Sequence, residues 1–288
     1  MGEMGKKGMA QLKIEKVLNN NVLIAEHPSY GEVVLIGKGI GFNRKHGDLI
    51  EKDSAEKLFV LKNEKEQQNY LKLLPFIDND FLEVIIASIE LIKQRTNSML
   101  NEHIHVALTD HLMFALTRAS QGMEMKNPFL VETKALYRHE YEVAKEVVQL
   151  IKDNTGISFP IGEVGFIALH IHSAITNKDL SDVNQHSQLV SRLVDMVEEQ
   201  LELVIDKEGI DYMRLVRHLR FAIERVVNGE KVDEPEKISS LLKDEYPICY
   251  NLSWKLIKVM QQTLKLKVFD AEAVYLTMHL QRLQKKYK

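Results

Sequence analysis

The sequence predicts a multidomain chain, a small antiparallel β unit followed by two all-α helical bundles, and three observations predict it. His-Leu-x-Phe-Ala-(Leu/Ile)-x-Arg occurs at His111–Arg118 and again at His218–Arg225, 107 residues later (111 to 218). The segment Glu163–Ile171 (EVGFIALHI) is echoed by Glu272–Leu280 (EAVYLTMHL), 109 residues later (170 to 279). Residues before position 62 lack this helical period and consist of short β-branched runs between turn residues. Two motifs recurring in one order at nearly one spacing imply a fold of roughly a hundred residues used twice.

Composition narrows the class. A net charge of −3 excludes a general attraction to nucleic acid, so any such binding needs a local surface. The longest apolar runs are too short to cross a bilayer, so no membrane insertion is expected. The N-terminus has lysines but no apolar stretch behind them, unlike a secretory signal. It opens Met1-Gly2, but Lys6 stands where myristoylation wants Ser or Thr. A single cysteine, Cys249, forbids an internal disulfide, and the chain reads as cytoplasmic.

Taken in order, residues 1–10 (MGEMGKKGMA) have no period and read as a mobile tail. Residues 11–62 form the β unit. Its runs are Ile14–Leu18, Val22–Ala25, Val33–Ile36 and Leu58–Leu61, separated by Asn19-Asn20-Asn21, Pro28-Ser29-Tyr30-Gly31 and Gly47-Asp48. Gly37-Lys38-Gly39-Ile40-Gly41-Phe42 is too broken for a regular strand. So small a unit buries little surface alone, so a homodimer with a two-fold axis is expected. Residues 63–69 are polar and helix-compatible, and read as a linker. The first bundle takes 70–177 and the second 178–288, with the join in the polar stretch Thr176–Ser181. Phe81, Ile85, Ile89 and Ile92 recur at helical spacing, as do Leu256, Val259, Met260 and Leu264. Pro128, Pro160, Pro235 and Pro247 punctuate helices.

Each copy holds two histidines, 59 residues apart in the first (111 to 170) and 61 in the second (218 to 279). On a helix, His111 shares a face with Ala115 and, less squarely, the apolar Phe114, with Arg118 two turns on, and His170 sits above Phe166 and Ile167 with Glu163 two turns before. A lone histidine on an apolar face is most often a satisfied core residue. Four at matching places in two copies weaken that reading, because a core would accept Leu or Met equally. Metal binding is disfavoured: His170 and His172 point apart on a helix, as do His103 and His105, and no HExxH occurs. The order Asp110-His111 is the reverse of the His-Asp dipeptide of a metal-dependent phosphohydrolase. No GxSxG occurs, and Cys249 lies in no nucleophile elbow. No cofactor is called for. Covalent modification of the imidazoles remains, and phosphorylation would add about −2 charge and several acceptor oxygens, by analogy with phosphoserine.

Val17-Leu18-Asn19-Asn20-Asn21-Val22 and Gly37–Phe42, followed by twin histidine motifs, resemble the BglG/SacY/LicT family of transcription antiterminators. Asn101-Glu102-His103-Ile104-His105 and Asn184-Gln185-His186-Ser187-Gln188 are most similar to its glucose-type branch. The resemblance covers nearly the whole chain. It implies an N-terminal co-antiterminator RNA-binding domain and two phosphotransferase-system (PTS) regulation domains. It further implies that a dimer of the β unit binds a leader mRNA hairpin (the ribonucleic antiterminator) and prevents a terminator from forming, for a PTS sugar operon of the glucose type. Phosphate would come from HPr or a sugar-transporter enzyme II onto His111, His170, His218 and His279. In the glucose-type branch, phosphorylation of the first domain is implied to inhibit.

The family's RNA-contacting positions map to Asn21, Gly37, Lys38, Gly39 and Phe42. Chemistry fits them: an amide can pair with a base or sugar edge, bare backbone approaches closely, a lysine meets phosphate and an aromatic ring stacks. The bland reading is a turn, a bulge and a core phenylalanine. Residues 10–62 carry eight Lys or Arg against seven Asp or Glu, so charge alone does not point to RNA.

Remaining residues are read as structural. Trp254 and Cys249 are expected in the second core, and His27, His46, His139 and His186 in solvated contexts. Arg217 stands in the second copy where the first has Asp110, so the copies are not expected to be regulated alike. The chain reads as a regulator, not an enzyme. The competing reading is a PTS histidine phosphoryl carrier or enzyme with a dimerising β domain. A DNA-binding activator would need a helix-turn-helix where the β unit stands.

Overall fold

The computed structural model describes residues 11–55, 57–59, 64–230 and 236–287. The tail 1–10, the end of the run Leu58–Leu61, the first linker residue and Pro235 lie outside the described residues.

Five strands form one antiparallel sheet: β1 (Gln11–Val17), β2 (Val22–His27), β3 (Gly31–Ile36), β4 (Leu49–Glu51) and β5 (Lys57–Phe59), in the order β4-β1-β2-β3-β5. β1 alternates, with Leu12 and Ile14 buried and Gln11 and Lys13 exposed, as a half-covered strand should. β2 and β3 are buried on both faces from Val22 to Ala25 and from Val33 to Ile36. One face packs Leu12, Ile14, Leu23, Ala25, Val33, Leu35, Ile40 and Ile50 into a single cluster. β4 has no run of its own in the sequence. It is three residues long and held by β1, where Leu12 pairs with Ile50.

The helices are α1 (Glu64–Leu73), α2 (Asn79–Thr96), α3 (His103–Ser120), α4 (Leu130–Leu136), α5 (Arg138–Thr155), α6 (Ile161–Thr176), α7 (Leu180–Leu201), α8 (Ile210–Asn228), α9 (Glu236–Glu245), α10 (Pro247–Leu264) and α11 (Ala271–Tyr287). The polar linker segment is therefore the body of α1. The sequence repeat reappears as an order of five helices used twice, α2–α6 and α7–α11. The first histidine motif falls on α3 and α8, the second on α6 and α11. Asp78 caps α2 by accepting the Asp80 N–H at 2.9 Å, and α2, α6, α7, α8 and α10 all end on a left-handed residue.

Packing divides the chain into two compact units: residues up to Glu124 with Val147–Phe159, and Met125–Glu146 with Pro160 onward. The second unit thus contains α4 and α6 as well as the second repeat. Its core joins Leu193, Val197, Leu215, Leu219, Leu256 and Leu280, and Ala135 and Leu136 of α4 pack against it. α4 also meets α8 through polar groups. The buried Tyr212 hydroxyl donates to Glu132 at 2.8 Å, and Arg220 Nη1 donates to the Leu136 carbonyl at 3.1 Å. Trp254 packs against this core and Cys249 is fully buried, as expected.

Candidate functional site

The β unit presents one built loop. The Asn20 carbonyl accepts the Gly41 N–H at 2.8 Å, and the Asn21 carbonyl accepts the Gly37 N–H at 3.0 Å. The Asn21 side chain accepts the Gly39 N–H at 2.6 Å, while its own N–H donates to Asn19 Oδ1 at 2.9 Å. The asparagine turn therefore pins the glycine-rich loop. Gly39 sits at φ +69°, which favours glycine, and a Cβ at Gly41 would lie 2.2 Å from the Asn19 carbonyl oxygen. With the loop held this way Ile40 turns inward, and Lys38, Phe42, Asn43, Arg44 and Lys45 turn outward. Phe42 is 63% exposed.

All five sequence-marked residues of the β unit thus come together. Phe42 is not the core residue that the bland reading allowed. Gly37, by contrast, is buried, and the acceptor oxygen of Asn21 is committed to the loop. Their part is to shape the surface, and Lys38 and Phe42 form it.

In the second repeat His218 and His279 meet ring on ring, with centroids 3.5 Å apart and planes 29° from parallel. They are the middle rung of three between α8 and α11. On one side, seven residues away on each helix, Asp211 pairs with Lys286. On the other, Arg225 makes two 2.7 Å hydrogen bonds to Glu272, whose side chain is 2% exposed. Seven residues is two turns, so the three rungs fix an antiparallel pair in register. Burial, then the charges of Arg225, Arg217 and Arg214, hold the His218 imidazolium below its ordinary range. His279 is pushed down to about 4 by burial, then by His218, Arg282 and Arg214. Both rings are therefore neutral near pH 7, the form with a nucleophilic nitrogen lone pair. Neither is sealed in the core.

In the first repeat His111 is half-buried on α3, in the first unit, and the neighbouring Phe114 is exposed and not part of an apolar face. His170 lies on α6, in the second unit, and is 8% exposed.

Some neighbours carry no motif that the sequence reveals. His172 is buried on α6, with Nδ1 2.8 Å from Glu140 and its ring 4.0 Å from that of Tyr137. Burial alone would raise the Glu140 carboxyl, but hydrogen bonds from His172 and the backbone and the nearby imidazoles hold it below the usual range. The Arg220 guanidinium lies 5.4 Å from the Tyr137 ring centroid and bonds Glu224 at 2.9 Å. His186 is half-buried and lines a small cavity with these residues, so it is not solvated as expected. The packing of α4, α6, α7 and α8 encloses it, and that packing leaves no local pattern. His27 is likewise half-buried, beside Tyr30, while His46 and His139 are exposed.

A small sheet with a pinned, aromatic-tipped loop, followed by a twice-used set of helices whose second copy carries a stacked pair of neutral imidazoles, defines a class: an RNA-binding regulator with histidine-bearing control modules. Residues 12–68 match the CAT RNA binding domain, and residues 87–174 and 191–283 match the PRD domain. The chain is 56% identical over 273 residues to the "PtsGHI operon antiterminator" of Bacillus subtilis (strain 168), covering 95% of this chain and 97% of that one. It is 39% identical to the "GlcA/glcB genes antiterminator" of Staphylococcus carnosus (strain TM300), covering 94% and 96%. It is 37% identical to "Protein GlcT" of Staphylococcus saprophyticus, covering 97% and 100%. A solved structure titled "Crystal structure of GlcT CAT-PRDI" aligns at a TM-score of 0.52 and 56% identity, covering 58% of this chain and 99% of that one. The chain belongs to the family of transcription antiterminators built from a CAT RNA-binding domain and PRD domains.

Among the described residues, no helix is long and apolar enough to cross a membrane.

Proposed function

We propose that this chain, as a cytoplasmic homodimer, binds a leader-mRNA hairpin of a glucose-type PTS operon. The bound hairpin keeps a terminator from forming, and PTS phosphoryl donors control it through His111, His170, His218 and His279. The observation that carries the RNA half is the pinned loop, which leaves both Lys38 and the 63%-exposed Phe42 on solvent. A rigid ring stacks on an unpaired base at low entropic cost, and a lysine of the same loop meets the backbone. RNA contacts are assigned to Asn21, Gly37, Lys38, Gly39 and Phe42, the first and the glycines through the loop shape they set.

The control half rests on the stacked, neutral imidazoles of His218 and His279. A ring nitrogen lone pair attacks the phosphorus of the phosphoryl group carried by HPr or an enzyme II. One N–P bond forms as the bond from phosphorus to the donor side chain breaks, and a proton passes from the acceptor ring to the departing donor group through solvent. The protein turns over no substrate in this reading. Residues 11–70 with a leader hairpin supply the test: binding that weakens steeply with salt supports it, and no affinity at low salt overturns it. Phosphopeptide mapping after incubation with phosphorylated HPr, and separately with the phosphorylated transporter domain, tests each histidine. Rapid onward transfer of phosphate to a small molecule would favour a carrier instead.

A further inference from the structure

The second repeat surrounds its histidine pair with guanidinium groups, and the first does not. Arg214 lies one turn before His218 on α8, and Arg282 one turn after His279 on α11. Both reach the same carboxylate: Arg214 Nη1 is 4.0 Å and Arg282 Nε 3.9 Å from Asp211 Oδ1. They therefore converge on one carboxylate on the Asp211 side of the stacked rings, although they come from different helices, and both charges act on His279. Asp211 is 6% exposed, and its other oxygen is held by Lys286. One carboxylate thus faces three cations, and the charge of exposed Arg217 acts on His218. Contacts near 4 Å are looser than charge-assisted hydrogen bonds, so both forks keep donors to offer an anion. At the other end of the stack Arg225 is fully engaged by Glu272. At the repeat offsets of 107 and 109, the first copy has Ala107 for Arg214, Asp110 for Arg217 and Ser173 for Arg282.

We infer that Arg214 and Arg282 form a preformed receptor for a tetrahedral phosphate dianion beside His218 and His279. Guanidinium forks suit such an anion: they are planar, always charged, and give paired N–H donors. The anion has two sources, free phosphate or the phosphoryl group carried on either ring. The second source rests on the acceptor reading above and the first does not. In that second role the two arginines are positioning residues. They stabilise phosphate on the second repeat and leave the first, with no such pair, to hold its phosphate less tightly.

The test uses the full chain with labelled histidines and inorganic phosphate. Phosphate added to the unmodified protein is expected to shift the ring-proton resonances of His218 and His279 and to saturate. R214Q/R282Q should need about tenfold more phosphate, and R214K/R282K, which keeps charge without the fork, should fall between. Sulfate should mimic phosphate and chloride should not. Circular dichroism matching the wild type shows that loss of binding is not loss of fold. Equal saturation in wild type and R214Q/R282Q, or no movement of these two signals, overturns the receptor. A second arm equilibrates the chain with phosphorylated and free HPr. R214Q/R282Q should lower the phosphate held at His218 and His279 about tenfold and leave His111 and His170 unchanged. Normal phosphate binding with no phosphate ever gained from HPr would sink the acceptor reading and leave the receptor standing.

Discussion

His218 and His279 stack with ring centroids 3.5 Å apart, and theirs is the only rung among the three between α8 and α11 that is not an ion pair. Asp211–Lys286 and Arg225–Glu272 hold the helices together two turns to either side. The stack itself tolerates no like charge. A phosphate or a proton on one ring therefore acts where the helix pair has least to resist it, between two fixed points.

The same geometry makes stability depend on pH. His279 is lowered from its ordinary 6.5 to about 4, and His218 is lowered too. The unfolded chain then binds more protons than the folded one. The stabilising contribution is complete above about pH 6.5 and is lost as pH falls towards 4. Urea unfolding at several pH values should show the wild type losing stability faster than H218N/H279N on acidification. Parallel profiles would contradict the stacked arrangement.

Arg225→Ala leaves Glu272 buried without its partner. Removing one member of such a pair costs about 3 kcal/mol or more, and the exposed part of Arg225 places this case at the low end. Replacing both residues by Met should restore most of the loss. Equilibrium denaturation of the single and double variants is the measurement, and a single variant within about 0.5 kcal/mol of wild type would mean that the rung carries little.

Much of this arrangement is legible in the sequence, for physical reasons. Period and composition separate the sheet from the bundles, because alternation and helical spacing are local consequences of burial. The repeat offsets locate the paired motifs on α3, α6, α8 and α11. The rungs, too, are written as Asp211, His218, Arg225 and Glu272, His279, Lys286, each seven apart, but the pairing of the two series is a tertiary fact. β4 escapes because three residues cannot show a period, and it exists only through β1. The cavity of His172, His186, Tyr137 and Arg220 escapes because it is assembled from α4, α6, α7 and α8, with no run of residues in common. Asn21 reads in the sequence only as a proposed RNA contact, and its hydrogen bond to Gly39, which pins the loop, is visible only in the fold.

Tyr212→Phe tests how firmly α4 is held to α8. The change removes the hydroxyl donor to the buried Glu132 without altering shape. Leaving a buried acceptor without its donor costs about 1–3 kcal/mol. The variant should unfold at lower urea with an unchanged slope. No shift in midpoint would show that water replaces the hydroxyl.

His111→Asp places a fixed charge where phosphorylation of the first repeat is proposed to act. It is expected to weaken dimerisation or RNA binding of the full chain. Sedimentation velocity with and without the leader hairpin reads both. An unchanged dimer with unchanged RNA affinity would remove His111 from the inhibitory role.

The loop separates two ways of losing RNA affinity. Phe42→Ala removes a solvent-facing ring, and should cost about 1–3 kcal/mol of hairpin binding with stability untouched. Gly41 is buried, so Gly41→Ala changes no exposed side chain of the loop, yet its Cβ would meet the Asn19 carbonyl at 2.2 Å. The loop must then leave its asparagine pins, so RNA binding and the thermal stability of the β unit should fall together. Asn21→Ala should behave as Gly41→Ala does, because it frees the Gly39 N–H, whereas Asn21→Asp keeps that acceptor and should spare stability while losing affinity to charge repulsion. Filter binding against a leader hairpin, paired with thermal melts of each variant, sorts the four. If Phe42→Ala binds as wild type does, the exposed ring is not the stacking platform, and the RNA surface must be sought elsewhere on the sheet.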